Sequence, residues 1–441
     1  MSSNDSQTSS VQFPDQNIRF VKESDTEAIK KLFESVYKDR KYPFPDVFDG
    51  GWVKKCVYND DIICLVLEEN GEVVGTGALV MDVGNYNDQV GELGRFVVRQ
   101  DRQGHGRGQS IINGLFQAAE NNVEFAVGEA KTAHLKSQKL VEKAGFQALG
   151  FLPHYLLTGG AGESEKEKGK NDNENFVIYG KLYGNSHALR SNTWPTLIPE
   201  IAPLAMHVLE GMGLNSSLQV VQDAAPYPVE TSFPLREVNR LSLAQLGRIK
   251  EGRLVEPLLF GKLSLDEGHS FVRRRNAVYL MAVDDVKGPV GAIGFQFDET
   301  NKILIGVELI AATENLRGQL CMSLLTIADQ FGARIIEVNV SAYDPRLQAT
   351  FLALGFKPLL YAPAMVFHGT ERLDVVKMLR LNECFDSGEM GAIDLTESAR
   401  VVYSMVESSL KEFTKGGRVL TKLLPPKTKS DFNRRRLRSV G

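Results

Sequence analysis

Cysteine is scarce in this chain. The four thiols, Cys56, Cys64, Cys321 and Cys384, are scattered, and none falls in a Cys-x-x-Cys spacing. That excludes a zinc ribbon or a disulfide framework as the organising device. Cys64 and Cys321 lie in apolar runs, where buried free thiols are expected. The seven histidines form no His-x-x-x-His pair, so no metal is expected. There is no Gly-x-Ser-x-Gly elbow and no Gly-Lys-Ser or Gly-Lys-Thr loop, which removes the serine hydrolases of that type and the P-loop enzymes. No apolar run is long enough to span a membrane. The first sixteen residues are polar and Ser-rich, without the apolar centre of a signal peptide. Cytoplasmic residence and no membrane partner are therefore expected. A net charge of -4 gives no globally basic surface. Nucleic acid is not expected as a partner, and the short basic tail containing Arg434, Arg435, Arg436 and Arg438 is the one segment suited to it.

What is present is length and pattern. At 441 residues, with 43% hydrophobic and 24% charged residues, the chain is a globular sequence long enough for two or three domains. Residues 1–16 are expected to be disordered. A strand is predicted at 18–22, then a helix opened by Asp25 with Ala28, Ile29, Leu32, Phe33 and Val36 at helical spacing. Residues 41–52, with Pro43, Pro45 and Gly50-Gly51, read as a loop. Strands follow at 62–68, 72–81 and 90–98, the first two joined by an Asn70-Gly71 turn. Helices are predicted at 109–121 and 134–144, with a strand at 123–128 between them and Gly145 ending the second. Two more strands, 146–157 and 175–183, flank a polar insertion at 159–174 that reads as a mobile hairpin loop.

Between the third strand and its following helix stands Gln103-Gly104-His105-Gly106-Arg107-Gly108. Glycines let a backbone approach an anion closely, and a helix N-terminus adds positive potential, so this turn suits a phosphate. An ordinary tight turn before a helix is the other reading of such a triplet. The Gln-x-x-Gly-x-Gly pattern, taken with the order strand-helix-strand-strand-strand-helix-strand-helix-strand-strand, resembles the GNAT acyltransferases. The resemblance covers about residues 17–184. It implies acetyl-CoA, or another acyl-CoA, as co-substrate, and transfer of its acyl group to the primary amine of a small molecule or a protein.

The resemblance assigns roles. Backbone N–H groups of Gly104, His105, Gly106, Arg107 and Gly108 take the pyrophosphate, with the Gln103 side chain assisting. Arg102 and Arg107 either add charge or are solvated loop residues. The 90–98 strand splays from its neighbour and offers main-chain groups to the pantetheine arm, and Val98 counts among the coenzyme contacts. An N–H at Val97 or Val98 polarises the thioester carbonyl. Such a donor lowers the barrier by roughly 3 kcal/mol in other acyl-transfer enzymes. Glu92, eleven residues before Gln103, falls where relatives keep a general-base glutamate; a solvent-facing strand glutamate is the alternative. The family's usual proton donor, a tyrosine four residues before Gly-Phe, is Val141 here. Ser137, His134 and Tyr155 are the substitutes. His134 and Ser137 are equally candidates for the coenzyme arm. Tyr42, Phe44, Phe48 and Trp52 either line an acceptor pocket or form core under the first helices.

Residues 185–235 read as a linker with a helix at 199–212, a short strand at 218–221 and a run of prolines. A second pass of the same order then covers 236–383. It runs from a helix at 236–255 through strands at 277–283, 290–297 and 302–310 to Gly355-Phe356, which repeats Gly145-Phe146. Aligned by Gly318 on Gly106, Gln103 becomes Asn315, Gly108 becomes Leu320 and Glu92 becomes Leu304; by the Gly-Phe pair, Val141 becomes Phe351. This copy is expected to be degenerate. Residues 384–441 hold a final amphipathic helix at 394–413, opened by an Asp394/Glu397 capping box, and the tail. The fold class expected is α/β (α+β): two GNAT-like domains, each a mixed, mostly antiparallel sheet flanked by helices. A homodimer is left open. A non-catalytic acyl-CoA sensor is the rival to a GNAT-type enzyme.

Overall fold

The computed structural model describes residues 11–37, 45–48, 50–81, 83–119, 122–133, 135–157, 173–229, 233–238, 240–251, 258–265, 276–382 and 393–416. Tyr42, Phe44, His134, Cys384, the insertion up to residue 172 and the basic tail lie outside them. The chain forms two compact units, Met1–Leu189 with Met390–Val401 and Arg190–Glu389 with Val402–Gly441. Among the described residues no helix is long and apolar enough to cross a membrane.

In the first unit, strands β1 (Ile18–Phe20), β2 (Ile62–Glu69), β3 (Glu72–Val80), β4 (Val90–Val98), β5 (Phe125–Lys131), β6 (Gln147–Leu157) and β7 (Asn173–Leu182) form a sheet in the order β1-β2-β3-β4-β5-β7-β6. Every pairing is antiparallel except β4 with β5. The β2–β3 turn is made by Asn70 and Gly71, at φ +52° and +80°, the left-handed pair that a two-residue hairpin requires. Helix α1 (Thr26–Tyr37) buries Ile29, Leu32 and Phe33, spaced to share one face.

The stretch 41–52 is not all loop. A turn of 3-10 helix covers Pro45–Phe48, and α2 (Gly51–Tyr58) follows. Prolines and a Gly pair hid this helix, because it starts at the second glycine, with Gly50 at φ +76° turning the chain into it. Trp52, Val53 and Cys56 face inward and join Phe33 and Phe48 in one apolar cluster. Phe48 and Trp52 are therefore core. Helices α3 (Arg107–Ala118) and α4 (Leu135–Lys143) complete the unit.

The last helix begins at Glu397. Asp394 and Glu397 do not make its cap; Thr396 does, its Oγ1 accepting from Ala399 N–H at 3.3 Å and donating to Glu142 at 2.5 Å. Buried Gln138 holds the approach, donating to Asp394 C=O at 2.7 Å and accepting from Thr396 N–H at 3.1 Å.

The second unit repeats the order of elements. Strands Leu235–Glu237, Ala277–Asp284, Gly288–Asp298, Ile303–Ala311, Ile335–Ser341, Lys357–His368 and Glu371–Leu381 alternate with helices Arg240–Glu251, Glu314–Phe331 and Pro345–Ala353. The predicted 236–255 helix thus opens as an edge strand, Arg236 opposite Met281, too short to carry a period. Only residues 312–313 separate strand Ile303–Ala311 from its helix, where 99–106 separate β4 from α3. The glycine loop has no counterpart. Gly318, Asn315 and Leu320 lie within the helix. Gly318 serves a crossing instead: a Cβ there would come 1.9 Å from Pro228 O. The ladder also moves the Glu92 counterpart to Ile305, opposite Glu337 as Glu92 is opposite Val127, rather than Leu304.

Two segments fill clefts of this second unit. Strand Leu259–Phe260 pairs with Val340 and Asn339 just where Ile303–Ala311 leaves Ile335–Ser341, and Gly261 passes Val307 so closely that a Cβ would lie 2.4 Å from its Cα. Tyr227 packs between helices Glu314–Phe331 and Pro345–Ala353. Its N–H donates to Thr350 at 2.7 Å, its hydroxyl meets Asp344 at 2.9 Å, and Arg317 and Arg346 cover its ring. Burial and the Asp344 charge push its phenol up to about 12.

Candidate active site

A cavity of about 560 Å³ opens in the first unit. Val36 and Tyr37 line it from the end of α1, and Phe96, Val97 and Val98 from the end of β4. Gln103, Gly104, Gly106, Arg107 and Gly108 line it from the loop and the start of α3. Lys136, Ser137 and Leu140 come from α4. His105 is exposed beside this wall, at φ +53°.

The loop glycines do two different things. Gly104 and Gly106 sit at φ +95° and +80°, and a Cβ on either would meet nothing within 4 Å. They are needed for the backbone turn, and they leave its N–H face clear to receive an anion. Gly106 is the N-cap of α3. Arg107 N–H, expected to face the pyrophosphate, instead donates to Gly104 C=O at 3.3 Å, and the N–H groups of Gly108 and Gln109 after it are the first-turn donors that add to that face. Gly108 has an ordinary φ, and a Cβ there would lie 3.3 Å from Leu140 and 3.4 Å from Phe96. It lets α3 approach α4. Gly77 likewise makes room for the Phe96 ring, at 2.8 Å.

β4 splays. It pairs with β5 only from Val90↔Phe125 to Leu93↔Gly128, while its ladder with β3 runs on to Gly75↔Val98 past an irregularity opposite Gly77. Arg95 lies at that irregularity with φ +49°. Arg99 N–H donates to Val74 C=O on the β3 side, so strand alternation turns the main-chain groups of Val98 to the side β5 has left. Gln103 Nε2 donates to Val98 C=O there, at 3.2 Å. Val97 faces its main chain toward β3 by the same alternation.

Both arginines of the loop are engaged. Arg107 Nε lies 2.5 Å from Glu69 Oε1, and Arg102 reaches Glu69 at 3.6 Å and Asp101 at 3.5 Å. The Arg107 hydrogen bond holds the Glu69 carboxyl below the usual carboxylate range. Lys136, which the sequence did not single out, faces the cavity and donates to Gln103 Oε1 at 3.2 Å.

Glu92 lies higher on β4, outside the cavity lining, 3.4 Å from Arg95, whose guanidinium sits over the Trp52 ring at 5.1 Å. Val98 is six residue steps further along the strand, roughly 20 Å. Val141 is buried on α4 near Gly128 and Phe146 and does not line the cavity. Ser137 does; Tyr155 does not. Tyr37, expected at the start of a loop lining the acceptor groove, stacks on Phe33 at 6.1 Å and adds to the cavity a phenol that the sequence reading did not single out as a proton donor. Its position in the α1 periodicity was the available signal. Among the described residues no group of three or more His, Cys, Asp or Glu could hold a metal ion.

Residues 27–146 match the model of the acetyltransferase (GNAT) family. No curated protein sequence matches the chain. Solved structures similar to it include ribosomal-protein-alanine N-acetyltransferase from Brucella melitensis, at 19% identity, covering 37% of this chain and 98% of that one, with a TM-score of 0.31. Another is ribosomal-protein-S5-alanine acetyltransferase from Vibrio fischeri, at 17% identity, 40% and 98% coverage and a TM-score of 0.32. A putative acetyltransferase from Salmonella typhimurium, solved with its cofactor acetyl-CoA, shows 18% identity, 38% and 93% coverage and a TM-score of 0.31. Over residues 27–146 the chain carries an acetyltransferase domain of the GNAT family, whose co-substrate is acetyl-CoA.

Proposed function

We propose that the first unit transfers an acetyl group from acetyl-CoA to a primary amine, by direct attack of the amine on the thioester, in the cytoplasm. The observation that carries this reading is that β4 pairs with β5 only as far as Leu93 and Gly128, while Phe96, Val97 and Val98 beyond that point line one cavity with the glycine loop. The loop N–H groups receive the pyrophosphate, and Val98 receives the pantetheine arm. The thioester carbonyl then lies further up β4, toward Phe96, where a main-chain N–H stabilises the oxyanion. Glu92 is about 13 Å of strand from Phe96, a span bridged by the amine and water. It takes the ammonium proton, the C–N bond forms, the C–S bond breaks, and the thiolate leaves. Tyr37 and Ser137 are the hydroxyls placed to protonate it.

The second unit is, in our reading, a degenerate copy that takes no coenzyme. Leu259–Phe260 occupies its strand gap, and the glycine loop has no counterpart. The acceptor is a small-molecule or protein amine.

One observation favours a second reading, a sensor that binds acetyl-CoA without turnover: the position of the usual tyrosine is the apolar, buried Val141. Calorimetric binding of acetyl-CoA to wild type and to Gly106→Glu tests the site, with circular dichroism as the folding control. Turnover on an amine panel, with Glu92→Gln alongside, separates enzyme from sensor.

A further inference from the structure

We infer that Lys136 is the side-chain cation that holds the coenzyme's pyrophosphate, and that Gln103 is the positioning residue that aims it. This inference rests on the coenzyme reading above.

Four cationic side chains stand near the glycine loop, and three are matched by carboxylates. Arg99 meets Asp101 at 2.7 Å and Glu72 at 3.1 Å. Arg102 meets Asp101 and Glu69, and Arg107 meets Glu69. Against an incoming anion this group presents little net charge, because the three guanidiniums share three carboxylates, Asp101, Glu72 and Glu69. Among the described residues no carboxylate pairs with Lys136. It donates to the neutral Gln103 Oε1 at 3.2 Å. An ammonium has three N–H donors, so one bond to an amide oxygen leaves two to give.

Its place also fits. Lys136 is in the first turn of α4 and lines the same cavity as Gly104, Gly106 and Gly108. Gln103 is the residue from which the loop departs, and its amide nitrogen is fixed on Val98 C=O at 3.2 Å. That bond sets which way the amide oxygen points, and hence where the ammonium is held. The charge is therefore delivered at the start of the loop, where the N–H groups face the cavity, rather than at the far end of α3. The pyrophosphate, not the 3′-phosphate, is the partner this placement selects.

Titration calorimetry on the full chain tests it, with acetyl-CoA and with 3′-dephospho-acetyl-CoA, each at 50 and 200 mM salt. Lys136→Met should weaken both ligands by the same factor, about 10-fold or more at the lower salt, and flatten the salt dependence by about one phosphate contact. Lys136→Arg should restore most of the affinity. Gln103→Leu should weaken binding less than Lys136→Met, and the two changes together should cost less than the product of their separate factors. Lys136 is exposed, so Lys136→Met should leave the fold intact. Equal binding by wild type and Lys136→Met overturns the inference while leaving the coenzyme site standing. A loss seen with acetyl-CoA but not with the dephospho ligand overturns the pyrophosphate assignment in favour of the 3′-phosphate. No binding by wild type overturns the coenzyme reading itself, and this inference with it.

Discussion

Arg107 and Glu69 are bound to each other at 2.5 Å, a glycine-loop cation held by the carboxylate at the end of β2. The pair withholds a positive charge from the cavity that Arg107 lines. Glu69→Gln should release it and tighten acetyl-CoA binding several-fold at 50 mM salt. The gain should shrink at 0.5 M salt, where exposed charges are screened over a few ångströms. Calorimetry at the two salt concentrations checks this; weaker binding by Glu69→Gln would mean that the carboxylate aims Arg107 at the ligand.

Gly106 and Gly71 share a φ of +80° and open space where a Cβ would go. Alanine at either should cost about 1–2 kcal/mol of stability through the left-handed backbone. Only Gly106→Ala should also weaken acetyl-CoA, by roughly 10-fold, because of the two only Gly106 lines the cavity. Urea denaturation and calorimetry on the two variants separate strain from site.

If Tyr37 or Ser137 protonates the leaving thiolate, its removal should matter most where the thiolate is basic relative to solvent. Tyr37→Phe or Ser137→Ala should lower kcat by about 10-fold near pH 7, and the deficit should narrow above pH ~8.5, the ordinary thiol pKa. A deficit independent of pH would assign the residue to packing or acceptor binding.

Asp374 is fully buried in the second unit. It accepts from Arg190 at 2.7 and 3.0 Å, from Tyr361 at 2.5 Å and from Ala364 N–H at 2.9 Å. The matching place in the first unit is held by Asn175, which accepts from His154 N–H at 2.8 Å. Asp374→Asn keeps that backbone bond and strips Arg190 of its counter-charge. It should destabilise the second unit by about 3–5 kcal/mol, read from denaturant unfolding, while leaving acetyl-CoA affinity unchanged.

Asp25 gives the first unit an acid-sensitive joint. Burial works against its charge, but two hydrogen bonds from Arg19, at 2.7 and 2.9 Å, and one from Lys22 N–H, at 2.8 Å, hold its pKa below the ordinary value. A folded-state pKa that is depressed stabilises above the unfolded pKa of about 3.9 and loses that contribution as pH falls through the folded value. Wild type should lose stability steeply below pH ~4, and Asp25→Asn should show a flatter acid limb from a lower starting point.

The second unit offers a stoichiometric check. With its strand gap filled by Leu259–Phe260 and its interhelical groove by Tyr227, one acetyl-CoA should bind per chain. Two equivalents would mean that these segments leave.

Patterns set by near neighbours were legible in the sequence. The Asn70-Gly71 turn, the Ile29-Leu32-Phe33 face and the Gly104/Gly106 turn each express a backbone or periodic preference within a few residues. Helix α2 was lost because glycine and proline dominate its approach, although tertiary packing of Trp52 and Phe48 on Phe33 holds it there. The Asp394/Glu397 box matched a helix-start rule, but burial of Thr396 against Gln138 and Glu142 moved the start.

Sequence alone determined that two sheet-and-helix passes exist and that the first keeps a glycine turn ahead of a helix, since turn chemistry and hydrophobic period act locally. Tertiary structure decided what each site contains. Lys136 meets Gln103 across 33 residues and Arg107 meets Glu69 across 38, while Leu259–Phe260 closes in the second unit the kind of gap the first leaves open. Those outcomes turn on which distant segment reaches a given groove, and no local preference encodes that.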